Sequence, residues 1–125
     1  MDKVVHFEIT YDDLERVKEF YASAFEWGLQ TVPDMQYTVV MTTPVDEKTQ
    51  LPLESGAING GLTERSADVP APVITIQVDS IDDSLKKIEA GGGSVVTPRT
   101  EIPNMGAFAY FKDSENNVLG LWETM

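Results

Sequence analysis

The chain of 125 residues has no cysteine and only one histidine. The first absence removes disulfides, thiolate nucleophiles and cysteine-ligated zinc or iron–sulfur centres together. The second leaves His6 as the only imidazole for acid–base or metal chemistry. Basic residues are also scarce: nine Lys and Arg stand against 21 Asp and Glu, a formal net charge of −12. Such a surface repels phosphate backbones and anionic bilayers, so neither nucleic acid nor a membrane surface is an expected partner. No apolar run reaches the roughly 18 residues of a membrane span. The opening MDKVVHFEITYDD lacks the apolar segment of a secretory signal, and a cytoplasmic protein is expected. There is no G-x-S-x-G and no dinucleotide fingerprint. Gly60-Gly61 is followed by neither a helix nor a lysine, so it is not a phosphate loop.

What is present is a pattern used twice. VVHFEITYDDLERVKEFYASAFEWG begins at Val4, and PVITIQVDSIDDSLKKIEAGGG begins at Pro72. With His6 set over Val73, the residues Phe7, Ile9 and Tyr11 fall on Ile74, Ile76 and Val78. Leu14 falls on Ile81 and Tyr21 on Ile88. A strand–turn–helix unit repeated in one chain is an architectural statement. By length the chain is one domain, with modules of about 1–64 and 72–125.

Alternation over 4–10 predicts a strand. Asp12 with Glu15 has the spacing of a capping box, and Leu14, Val17, Phe20, Tyr21, Ala24 and Phe25 form one helical stripe that Gly28 should end. Tyr37–Thr43 is the next strand signal, followed by a polar loop over 44–55 and a Gly-rich strand over 56–62. TERSADVPAP, 63–72, has linker composition. In the second half 73–78 reads as a strand. Ser80 caps a helix carrying Ile81, Leu85 and Ile88, which Gly91–Gly93 stop. A short strand over 94–97, a polar loop over 100–104, a strand over 107–112, the turn DSENN and a last strand over 118–124 complete the plan. Each half is a βαβββ module.

The chain resembles the vicinal oxygen chelate superfamily, which includes glyoxalase I, bleomycin-resistance proteins and extradiol dioxygenases. The resemblance rests on His6-Phe-Glu-Ile-Thr-Tyr-Asp-Asp-Leu14 with Val17 and Phe20-Tyr21, on Val78-Asp-Ser-Ile-Asp82 leading into a helix that ends in glycines, and on Phe111-Lys-Asp-Ser-Glu-Asn-Asn-Val-Leu-Gly-Leu-Trp-Glu123. It implies an α+β fold in which two βαβββ modules form a curved, incompletely closed mixed β-barrel with helices outside. Catalytic members hold a divalent metal there. His6 matches the first-strand ligand, whereas Val73 stands where many members place the next module's histidine and Gly120 where they place the last-strand Glu. The equivalent in the first module's final strand falls within 58–61, where Asn59 is the only side chain with a donor atom.

If Phe7 and Ile9 pack on the helix, His6, Glu8 and Thr10 share the other face, and Val73, Thr75 and Gln77 do so in the second module. On the last strand Val118, Gly120 and Trp122 face the same way, leaving Leu119 and Leu121 for the helix. Glu123, one residue out of phase with Gly120, is expected to be structural or at the surface. The expected ligand contacts are therefore His6, Glu8, Thr75, Gln77, Asn59 and Trp122, in a small polar set typical of a small-molecule site. No catalytic residue is assigned. The expected function is binding of a small organic molecule without the standard metal. The first alternative is a lyase, isomerase or dioxygenase using Zn, Ni, Mn or Fe held by His6 and Glu8. The second is a non-catalytic dimeric interaction domain. A homodimer is expected, with apolar side chains such as Trp27 and Met35 suited to its interface.

Overall fold

The computed structural model describes residues 1–33 and 37–125. The chain divides into two compact units, one of 6–66 with 70–72, the other of 1–5, 67–69 and 73–125. Met35 lies outside the described residues.

The first module runs β1 (Lys3–Tyr11), α1 (Leu14–Phe25), β2 (Gly28–Val32), β3 (Tyr37–Met41) and β4 (Gly60–Glu64). β2 and β3 pair antiparallel, β3 and β4 antiparallel, and β4 closes back onto β1 in parallel with Glu8 opposite Gly61. The second module repeats this as β5 (Val73–Gln77), α2 (Ile81–Ala90), β6 (Ser94–Ile102), β7 (Gly106–Lys112) and β8 (Val118–Thr124). β6–β7 and β7–β8 are antiparallel, and β5–β8 is parallel with Thr75 opposite Gly120. Both halves are the βαβββ units expected, and the fold is α+β.

The repeat holds most firmly in the second module. Ile81 and Leu85 of α2 are buried against Val78, Ala107, Ala109, Phe111 and Leu121, with Ile76, Ile88 and Leu119 packed around them. Alternation thus put Leu119 and Leu121 on the helix side correctly. Ser80 caps α2 by accepting from the Asp83 N–H at 3.2 Å. In the DSENN turn the Asp113 carboxylate accepts from the Glu115 and Asn117 backbone and from the Asn117 side chain. Those bonds, the Asn117 side chain's first, hold its carboxyl below the usual range.

Several expectations are corrected. The α1 cap is Asp13, which accepts from the Arg16 N–H at 2.9 Å, rather than Asp12. Asp12 is drawn away by Arg65, at 3.1 Å. The helix ends at Phe25 with Glu26 in the left-handed region, φ 60°, so the stop comes before Gly28. Gly28 instead opens β2, a strand whose mixed sequence GLQTV gave no apolar signal. β4 starts at Gly60, because Asn59 is occupied with another task described below. β6 continues through the region read as a loop: its register shifts twice, between Val95 and Thr97 and between Thr97 and Thr100, and such bulges blur alternation.

The α1 stripe behaves differently from its α2 counterpart. None of its residues is buried, and Phe20 and Phe25 are 57% and 58% exposed. Tyr21 stacks on Trp27 at 5.0 Å with the rings 6° apart, and Trp27 in turn lies 6.1 Å from Phe7. This aromatic chain links the helix to a sheet face on which Val40 and Leu62 are fully buried.

Candidate functional site

The strand register assigns faces in the first module. Lys18 of α1 donates to Thr31 at 3.3 Å, and Thr31 meets Thr38 at 3.0 Å, so Thr31, Thr38 and Phe7 belong to the helix face. By alternation His6 and Glu8 of β1, Tyr37, Val39 and Met41 of β3, and Gly61 of β4 lie on the opposite face.

There the His6 Nε2 lies 3.1 Å from the Tyr37 Oη. Burial lowers the His6 pKa below its ordinary 6.5, so the ring is neutral at pH 7. Burial first, and the nearby Glu8 carboxylate second, raise the Tyr37 pKa well above its ordinary 10, so the phenol keeps its proton. A neutral imidazole and a protonated phenol share one hydrogen bond here, and the ring's tautomer sets which of the two donates. Sequence reasoning placed His6 and Glu8 on one strand face and missed Tyr37. The missed signal was the repeat carried beyond the helix: through the registers of β3 on β4 and β7 on β8, Tyr37 occupies the place of Phe108.

The register also resolves the final-strand position. Glu8 faces Gly61 as Thr75 faces Gly120, and Glu8 stands over Thr75 in the repeat, so Gly61 is the equivalent of Gly120. Both positions at which the resemblance places a donor are therefore glycine here. Each gap has a specific filler. A side chain on Gly61 would run into the Tyr37 hydroxyl, and one on Gly120 would meet Thr75 Oγ1 at 2.9 Å and Val73 Cγ1 at 3.5 Å.

Asn59 is placed elsewhere. Its Oδ1 accepts from the N–H groups of Thr42 at 2.7 Å and Thr43 at 3.1 Å, while its Nδ2 donates to the Thr43 carbonyl at 3.1 Å. The amide holds the chain after β3 and has its donors and acceptor engaged there. In the second module Thr75 is buried, and its Oγ1 has no hydrogen-bond partner among the described residues. Gln77 is exposed on the same strand, opposite Trp122, which also pairs with Phe108. Phe108 and Tyr110 lie 5.8 Å apart edge to face. Glu123, out of phase with Gly120, forms an ion pair with Arg99.

The donor set does not fit the standard divalent-metal arrangement. Val73, Gly61 and Gly120 offer no lone pair, and among the described residues no group of three His, Asp or Glu converges. A separate cleft of about 320 Å³ lies where β1 meets α1, lined by Tyr11, Asp12, Arg16, Phe20, Tyr21 and Arg65 among others. Its charged groups largely serve the fold: Arg65 binds Asp12 and the Pro70 carbonyl, and Asp13 caps α1.

A family profile described as "Bleomycin resistance protein-like N-terminal" matches residues 3–44. Proteins named "Putative glyoxylase CFP32" from Mycobacterium bovis and Mycobacterium tuberculosis are each 30% identical over 115 residues, 89% of this chain. The chain spans only 41% of their length. Among solved structures, methylmalonyl-CoA epimerase from Mycobacterium tuberculosis superposes with a TM-score of 0.63 at 16% identity, over 98% of this chain and 87% of that one. A hypothetical protein from Bacillus halodurans gives 0.62 at 15% identity, over 99% and 95%. At these identities the structures establish the fold alone, and it is the glyoxalase-like fold that the strand and turn motifs implied.

Proposed function

We propose that the chain is a glyoxalase/bleomycin-resistance-like protein and that it binds a small organic molecule at the sheet face carrying His6, Glu8 and Tyr37, without a divalent metal. The observation that carries this reading is the 3.1 Å His6–Tyr37 pair, two half-buried polar groups on the same sheet face as Glu8. A neutral imidazole bonded to a phenol on a half-buried strand face is a polar anchor of the kind small-molecule sites use. In the second module, taken by itself, Thr75, Gln77 and Trp122 are the proposed ligand contacts. Asn59, whose amide is already satisfied, enters it through the loop it holds.

A thermal-shift screen of organic fragments against wild type and His6→Ala tests the proposal. Fragments that stabilise wild type by several degrees and leave the variant unmoved support it. A protein that no fragment stabilises, in either form, overturns it.

Two further parts belong to the same proposal. The exposed Phe20 and Phe25 of α1 support pairing of two copies as a homodimer. Light scattering on wild type and on Phe20→Glu reads that directly, and a monomeric wild type at tens of micromolar would end it. Cytoplasmic placement accompanies the acidic, cysteine-free composition and is read by cell fractionation.

A further inference from the structure

We infer that the cleft between the end of β1 and the first turns of α1 is a second binding site, which takes a small aromatic monocarboxylate with its carboxylate on Arg16. This goes beyond the sheet-face reading, and the cleft shares no residue with the His6–Tyr37 pair. Three pieces of chain build it. Arg16, Val17, Phe20 and Tyr21 stand on one side of α1 at three- and four-residue steps. Tyr11 ends β1. Arg65, the residue after β4, donates its backbone N–H to the Tyr11 carbonyl at 2.9 Å and so fixes the opposite wall. The volume of about 320 Å³ lies at the small end of the roughly 300–1,000 Å³ that ligand clefts span, so a single-ring molecule fits.

The ligand class follows from which groups in the cleft are already engaged. Its charged side chains are Asp12, Asp13, Arg16 and Arg65. Asp12 pairs with Arg65 at 3.1 Å, and Arg65 also donates to the Pro70 carbonyl at 2.7 Å. Asp13 accepts the Arg16 backbone N–H at 2.9 Å. The Arg16 guanidinium has no hydrogen bond or ion pair among the described residues. Its planar fork matches a carboxylate with two parallel N–H···O bonds. Phe20 stands one turn beyond Arg16 and meets Tyr21 edge to face at 5.0 Å. With Val17 and Tyr11 these rings form an apolar wall next to the guanidinium, where a ring attached to the carboxylate would pack. A second negative charge would face Asp12 and Asp13 with no further free cation, and an ammonium group would face Arg16. One carboxylate on one ring answers all of these groups.

Calorimetric titration with 3-phenylpropionate, benzylsuccinate and 3-phenylpropylamine tests this, since the three share a ring and differ in charge. The expected dissociation constant for 3-phenylpropionate is at least about tenfold below those of the other two, the worth of a charge-assisted hydrogen-bonded pair. It should rise with salt. Arg16→Gln should weaken 3-phenylpropionate by about tenfold, and Arg16→Lys, which keeps the charge without the fork, by less. Nuclear Overhauser contacts should run from the ligand ring to the Val17 methyls. Equal binding of the three probes, binding that Arg16→Gln leaves unchanged, contacts to the His6 ring in place of Val17, or no saturable binding at all would each overturn the proposal. None of these results touches the sheet-face reading, which stands or falls on the fragment screen with His6→Ala. The Arg16 side chain is exposed and its backbone N–H remains in both variants, so the Asp13 cap is kept. The charge order, the salt dependence and the Val17 contacts of wild type decide the matter even if a variant fails to fold.

Discussion

Gly61 is bare where Tyr37 lays its hydroxyl: a methyl at this position would occupy the space of the phenol oxygen. The glycine is thus a slot for a side chain from the next strand. Gly61→Ala should push Tyr37 off His6 and cost about 1–3 kcal/mol through overpacking of a buried position. Denaturant unfolding gives the stability, and the His6 imidazole signals show whether the pair has parted. Unchanged signals with unchanged stability would mean that the phenol does not need the slot.

His6 should titrate below 6.5, because burial disfavours its charged form. The unfolded chain then binds more protons than the folded one between the two pKa values. Stability from this group is complete above about pH 6.5 and falls as pH drops toward the folded value. His6→Gln should flatten that part of the curve, measured as the urea midpoint from pH 7.5 to 5.5. Carboxylates add their own slope only at lower pH. A His6 signal titrating at or above 6.5 would contradict the assignment.

Asn59→Ala should lower stability by about 1–3 kcal/mol, since it strands the Thr42 and Thr43 N–H groups. Thermal unfolding checks it. Loss of ligand binding without loss of stability would instead make Asn59 a direct contact.

Thr75→Val should stabilise the apo protein by about 1 kcal/mol. The replacement keeps the shape and removes a buried hydroxyl that no described residue bonds. A fall in melting temperature would show that the hydroxyl has a bonding role in the free protein.

Incubation with Zn, Ni, Mn or Fe followed by desalting and elemental analysis should leave well under one equivalent bound. The two side chains expected to complete a site are Val73 and Gly120, and the third position is Gly61. Stoichiometric metal that His6→Ala removes would revive the metal-dependent reading.

The repeat made much of this legible before any coordinates. Period-two alternation fixed which side chains of β5 and β8 share a face, and the helix stripe Ile81, Leu85, Ile88 found its core as read. The elements that escaped had no local signature. β2 is a five-residue strand of mixed polarity, and β6 carries bulges that break its alternation. The cap of α1 was read one residue early: the helix starts at Leu14, so Asp13 takes the cap position while Asp12 pairs with Arg65, far along the chain.

The sequence by itself determined the two βαβββ modules, the lone histidine with Glu8 on its face, and the loss of donors at Val73 and Gly120, because periodicity and residue chemistry are local properties. Tertiary structure decided what filled the missing places. Pairing of β4 with β1 and β3 identified Gly61 as the counterpart of Gly120, turned Asn59 toward the Thr42–Thr43 backbone, and brought Tyr37, 31 residues from His6, to 3.1 Å from its ring. Such a contact between residues distant in the chain depends on strand register, and register is settled only when the strands meet.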